Sequence, residues 1–152
     1  MLVGLISDTH GLVRPEALAV LQGAELIIHA GDIGEPEVLD ALRGIAPTFA
    51  VRGNNDTQAW AASLPEKEIV EVGERQILVL HQIAQLYREP VADGCAAVVF
   101  GHTHKPWVET RKGVLYTNPG SAGPRRFKLP VTVGRLWVTS DGLRSEIVEL
   151  HV

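Results

Sequence analysis

Short apolar runs recur along this chain, and one after another they stop at a cluster of Asp, Asn or His. Leu2 to Ile6 runs into Ser7-Asp8-Thr9-His10-Gly11, Leu26 to Ala30 into Gly31-Asp32-Ile33-Gly34, and Thr48 to Val51 into Gly53-Asn54-Asn55-Asp56. Continuous runs of this length read as buried strands. Helical patterns separate them: one opens at Pro15 and ends at Gly23, and another spans Pro36 to Arg43 and closes at Gly44. Strand, polar loop, helix, strand is the rhythm of a mostly parallel sheet with right-handed crossovers. Such a sheet gathers its loop residues at the carboxyl ends of the strands, where ligand sites of open α/β folds lie.

The second half turns to hairpins. Glu68 to Val72 and Gln76 to Leu80 flank Gly73-Glu74, and the second run leads straight into His81. A short helix is expected around Ala84 to Glu89, followed by a strand from Ala97 to Phe100 that ends at Gly101-His102-Thr103-His104. Trp107 to Thr110 with Val114 to Thr117, and Val131 to Thr139 with Leu143 to Leu150, bracket two further turns. At 152 residues the chain is sized for one domain covering 1–152. It is too short for a (β/α)8 barrel of about 250 residues. The expectation is one α/β domain with two sheets.

Charge narrows the partners. Residues 1–110 carry 7 Lys/Arg against 15 Asp/Glu, and residues 111–152 carry 7 against 3. An acidic chain is ill-suited to stable nucleic-acid binding, whereas its acidic half suits cations. The single cysteine, Cys95, cannot form an intramolecular disulfide and reads as a small buried hydrophobe. No run reaches the ~18 apolar residues of a membrane span, and Met1 to Ile6 has no basic leader, so a cytoplasmic protein with no membrane association is expected.

Five loops at strand ends offer metal-competent side chains: Asp8 and His10, Asp32, Asn54, His81, and His102 with His104. Two carboxylates, four imidazoles and one amide oxygen suffice for two ions if one carboxylate bridges. The absence of thiolate and the imidazole–carboxylate mixture favour Mn, Fe, Co, Ni or Zn over Ca. Two dications less two carboxylates leave a positive site that attracts phosphate.

The ordered series Asp8-Thr9-His10, Gly31-Asp32, Gly53-Asn54, His81 and Gly101-His102-Thr103-His104 resembles the calcineurin-like metallophosphoesterase superfamily. Asn118-Pro119-Gly120-Ser121 and Pro124-Arg125 resemble its small single-domain prokaryotic phosphodiesterases, the YfcE-like branch. The resemblance implies a four-layer α/β/β/α sandwich of two mixed sheets flanked by helices. It also implies two divalent transition metal ions, Mn2+ first and Ni2+, Fe, Co2+ or Zn2+ as alternatives. One metal falls to Asp8, His10 and His104 and the other to Asn54, His81 and His102, with Asp32 between them. The implied reaction is in-line attack on phosphorus by a hydroxide bridging the metals, on a small phosphodiester or phosphomonoester. A catalytically silent protein-binding scaffold of the same fold, as in a retromer subunit, is the alternative.

Two positions depart from the family pattern. Asn55 stands where many members carry a histidine that protonates the leaving oxygen or steadies the phosphoryl group; an amide can donate a hydrogen bond but not a proton. Gln82-Ile83 follows His81 in place of the sequence His-Gly. Asp56 is expected either to orient a ligand or to cap the next helix, and His29 to be a hydrogen-bonded core residue. Arg125, with Arg126 and Lys128, is a candidate for substrate phosphate or for a solvated face. Ser121 lacks the Gly-x-Ser-x-Gly elbow of a nucleophile, and Trp60, Trp107 and Trp137 read as core or interface aromatics. Exposed sheet edges are compatible with a homodimer or homotetramer.

Overall fold

A computed structural model describes residues 1–86 and 94–152. In chain order the regular elements are β1 (Leu2–Ile6), α1 (Pro15–Leu21), β2 (Leu26–His29), α2 (Pro36–Arg43), β3 (Thr48–Ala50), β4 (Lys67–Val72), β5 (Arg75–Leu80), β6 (Cys95–Val99), β7 (Trp107–Arg111), β8 (Val114–Asn118), β9 (Thr132–Thr139) and β10 (Gly142–Glu149). They form two five-stranded sheets, ordered β10-β9-β1-β2-β3 and β4-β5-β6-β8-β7. Both are mixed: β1, β2 and β3 run parallel with β9 and β10 antiparallel at one edge, and β5, β6 and β8 run parallel between antiparallel β4 and β7.

Strand alternation sorts side chains into three apolar layers. Val3, Leu5, Leu26 and Ile28 of the first sheet face Ile77, Val79, Ala97 and Val99 of the second, all buried. Ile6 and Ile27 point the other way and meet Ala17 and Leu21 of α1 and Val38, Leu39 and Leu42 of α2. Truncating a side chain of the central layer, such as Leu5→Ala, is expected to cost about 2–5 kcal/mol. On the outer face of the second sheet lie Leu78, Leu80, Cys95, Val98 and Phe100, packed by Ile83 and Leu86. Cys95 joins that face because the β5–β6 register slips: Gln76 pairs with Cys95 but Ile77 with Ala97, leaving Ala96 as the extra residue.

The result is an α/β sandwich of two mixed sheets, as the sequence implies. Two local expectations change. Where a helix over Ala84 to Glu89 is expected, Ile83–Gln85 forms a 3-10 turn, and residues 87–89 lie outside the described residues. Gly44 does end α2, but with φ −66° it stays right-handed and its N–H bonds Asp40 and Leu42. The glycine is therefore no left-handed stop.

Candidate metal centre

All seven candidate ligands sit just beyond the carboxyl ends of β1, β2, β3, β5 and β6. Asp8 Oδ1 lies 3.4 Å from His104 Nε2, 4.0 Å from His10 Nε2 and 3.7 Å from His81 Nε2. Asp32 Oδ2 lies 3.3 Å from His81 Nε2 and 3.8 Å from His10 Nε2. Two groups with metal-holding geometry result, Asp8–His10–His104 and Asp8–Asp32–His81, and each takes residues from both sheets. Asp8 belongs to both groups. At the open side, His102 Nδ1 is 3.2 Å from Asn54 Oδ1, and the His102 ring stands edge-on to His81 at 5.3 Å. Asp8, Asp32, His81 and His104 are buried, whereas Asn54 and His102 are exposed. The group thus has a closed floor and a mouth.

The backbone here is held in a conformation that L-residues avoid. Of the seven described non-glycine residues with positive φ, five are candidate ligands: Asp8 (54°), His10 (47°), Asp32 (55°), His102 (76°) and His104 (64°). Such outliers persist only where the surroundings over-determine them, and they gather at functional sites. Close packing supplies the restraint. At Gly31, itself at φ 103°, a Cβ would stand 2.7 Å from His81 Nδ1, and a Cβ on Gly53 would collide with the backbone and carboxylate of Asp32.

Polar contacts aim each donor. Asp8 Oδ2 accepts from Ser7 Oγ (2.7 Å) and from the His102 N–H (3.1 Å), which leaves Oδ1 for the cluster. Asn55 donates its backbone N–H to Asp32 Oδ1 and its amide to Oδ2, both at 2.9 Å. His81 Nδ1 lies 2.7 Å from the Ala30 carbonyl, so it carries the proton and Nε2 presents a lone pair inward. Burial raises the Asp8 pKa, but the neighbouring imidazole of His104 and the charge of His81 outweigh it and hold the carboxyl below its ordinary 3.8. Asp32 follows the same pattern: burial raises it, and His81 and Asn55 together pull it well below the ordinary range. Burial opposes charge on His81, yet the carboxylates of Asp32 and Asp8 raise its pKa. Both carboxylates are therefore anions looking for a cation.

The donors fit a metal. Asp8 Oδ1, His81 Nε2 and His104 Nδ1 are buried with no hydrogen-bond partner, an arrangement that costs free energy unless something fills it. Two of the three converge on the space between Asp8 and Asp32.

Other expectations resolve by geometry. Asp56 caps no helix: the next element, a 3-10 turn at Ala59–Ala61, has no side-chain cap. Instead its carboxylate accepts from Ile33, Gly34 and Gly53 N–H groups at 2.9–3.1 Å and ties the Asp32 and Asn54 loops together. His29 is the buried core residue expected: Nδ1 accepts from Gly31 N–H, and Nε2 donates to Thr9, whose hydroxyl donates to Ile33 O. Burial lowers its pKa to about 4. Arg125 bonds the carbonyls of Leu129 and Val152 and touches no candidate ligand among the described residues. Trp107 is 49% exposed rather than core.

Three further residues support the candidate ligands; Ser7 escapes sequence reasoning, and the run from Asn118 to Ser121 is marked only by the family resemblance. Ser7 holds Asp8; Ser121 Oγ donates to the Asp8 carbonyl (3.0 Å); Asn118 donates to Gly101 O (3.1 Å) and Thr103 Oγ1 (3.3 Å). Each is a small polar residue at a strand end, which alone signals only a turn. A polar cavity of about 340 Å³ opens beside Asn54, lined also by Arg52, Thr57 and Gln58. A larger one of about 510 Å³ lies at the opposite strand ends, around Met1, Glu74 and Ser140, far from this chemistry.

Known proteins resemble this chain along most of its length. A probable metallophosphoesterase of Methanocaldococcus jannaschii is 36% identical over 99% of this chain and 82% of its own length. The phosphodiesterase YfcE of Escherichia coli is 26% identical over 86% of this chain and 84% of its own. In fold the chain matches Vps29 of Chaetomium thermophilum with a TM-score of 0.77 at 20% identity, covering 99% of this chain and 96% of that one. Residues 1–141 match the model of the calcineurin-like phosphoesterase superfamily domain, and with the metallophosphoesterase relative this shows that the chain belongs to that superfamily.

Proposed function

We propose that this protein is a dinuclear metal-dependent phosphoesterase that favours phosphodiesters. The observation that carries this reading is the pair of buried, unpartnered atoms Asp8 Oδ1 and His81 Nε2, 3.7 Å apart, beside Asp32 Oδ2. Asp8, His10 and His104 would hold one ion and Asn54, His81 and His102 the second, with Asp32 between them. Mn2+ is the first ion to try. When bound, such ions acidify a coordinated water towards neutral pH and set positive charge against the phosphoryl oxygens.

The residues of the chain supply aim and burial. Ser7 and the His102 N–H fix the Asp8 carboxylate, Asn55 fixes Asp32, and the Ala30 carbonyl holds the proton of His81 on Nδ1. Exposed His102 and Asn54 form the mouth through which an ester enters. Asn55 has an amide committed to Asp32 and no proton to give, so it serves as a positioning residue. Without another acid in its place, the leaving oxygen takes its proton from solvent. Rates are therefore expected to fall steeply as leaving-group pKa rises across a series of aryl diesters, and a flat series would refute this.

The deciding experiment compares bis-p-nitrophenyl phosphate with p-nitrophenyl phosphate, using chelator-stripped protein with and without Mn2+. Metal-restored hydrolysis of the diester, lost in Asp32→Asn, with two ions per chain by calorimetry, is the expected result. Metal binding without turnover under any divalent ion would instead favour the protein-binding scaffold.

A further inference from the structure

Next to the ligand loop, on the outer face of the second sheet, lies a cavity of about 250 Å³. Phe100, Trp107 and Tyr116 supply three aromatic walls, Ile83 an aliphatic one, and Lys105 and Arg111 stand at the rim. Arg111 is pinned there: its guanidinium lies 5.6 Å from the Tyr116 ring centre and is paired with Glu109 at 2.8 Å. Lys105 is the other cation of the lining. Aromatic, slightly basic and small, the cavity suits one flat ring system.

Its position connects it to the metal centre. Thr103 lines the cavity and is the residue between His102 and His104, while Lys105 directly follows His104. Thr103 Oγ1 accepts from the Lys105 N–H and from Asn118, and Asn118 is the register partner of Trp107 across β7 and β8. Asn118 thus braces the candidate ligand loop through its side chain and pairs through its backbone with the strand that carries the Trp wall. The cavity wall and the candidate ligand loop are thus tied to the same residue.

Resting on the phosphoesterase reading above, we propose that this cavity receives the aromatic arm of the substrate, and that the substrate is a nucleotide-type phosphodiester whose base stacks on Trp107. Nucleotides combine the two things the surface offers to bind, an anionic phosphoester and a planar ring. Hydrolysis balances simply: water forms one new P–O bond, and the P–O bond to the second alcohol breaks with its electron pair. One proton of the water ends on that alcohol and the other in solvent, leaving a nucleoside monophosphate.

Uridine 5′-monophosphate and ribose 5-phosphate, which differ only in the base, isolate the ring contact. Their dissociation constants are measured by titration of the Mn2+-supplied protein, following tryptophan fluorescence and calorimetry. The nucleotide is expected to bind about tenfold tighter than the sugar phosphate. Trp107→Ala is expected to bring that ratio close to one, and Trp107→Phe to restore most of it. Because Trp107 is half exposed, the Ala variant should stay folded, which its melting temperature checks. Equal binding of the two compounds, or an unchanged ratio in Trp107→Ala, overturns the proposal while bis-p-nitrophenyl phosphate hydrolysis continues. Loss of the phosphoesterase reading looks different: no diester is cleaved with any divalent ion, and both conclusions fall together.

Discussion

Asn55 reaches Asp32 through both its backbone and its amide, so its effect on chemistry should be indirect. Asn55→Ala is expected to weaken metal affinity about 10–100-fold, read by calorimetry. An effect on KM alone, with metal affinity intact, would place it on the substrate. His29 makes a second residue-scale prediction. Its folded pKa of about 4 lies below the ordinary 6.5 because burial disfavours the charged ring. The unfolded chain therefore binds the proton more readily, and the stability His29 contributes is full above pH 6.5 and is lost as pH falls towards 4. In chelator-treated protein that loss is on the order of 3 kcal/mol. His81 acts in the opposite sense, since its raised pKa gives stability that is lost as pH rises. Comparing denaturation of wild type and His29→Gln from pH 7 to pH 4 isolates the His29 part. The chain displays its donors openly because their chemistry is in the side-chain type. Their left-handed backbone is hidden, since Asp and His, though enriched at positive φ, lie outside that region in most places they occur.

Loops, not strands, are the elements on which the site depends. Asp56 fastens two of them with three backbone bonds, and Asp56→Ala would leave those N–H groups short of acceptors. A loss of about 3 kcal/mol or more is expected in urea unfolding, together with weakened metal binding. Stability loss without change in metal affinity would separate the clamp from the site. Strand positions were legible within a residue or so because apolar runs and turn residues are local. What was not local was not legible: Asn118 bonds 15 and 17 residues back, and Ser121 bonds 113 residues back. For Trp107 the choice between core and surface is equally non-local, since hydrophobicity does not reveal that β7 is an edge strand. Of the two roles open to Asp56, helix cap or ligand support, tertiary contacts rule out the cap, while at Gly44 ordinary helical backbone suffices to end α2.

At the scale of the molecule, both donor groups join the two sheets: Asp8, His10 and Asp32 come from one, His81 and His104 from the other. An ion in either group acts as a clasp across the sandwich. At a free ion concentration a hundred times Kd, binding adds about 2.7 kcal/mol to stability. Chelation is thus expected to lower Tm by several degrees, and hydrogen exchange should quicken at the carboxyl ends of β1, β2 and β5 before the opposite ends. Uniform quickening would argue against a clasp. No helix among the described residues is long and apolar enough to cross a membrane.

The left-handed backbone of five candidate ligands bears on how such a chain can change. Each holds an L-residue in a backbone that glycine would occupy on the order of 1 kcal/mol more easily. Glycine at His102, the exposed one of the five, should therefore give a metal-free protein that is more heat-resistant but poorer at holding metal, whereas at Asp8 and Asp32 the hydrogen bonds lost outweigh the relief. A lineage freed from its reaction could drift down that slope one substitution at a time.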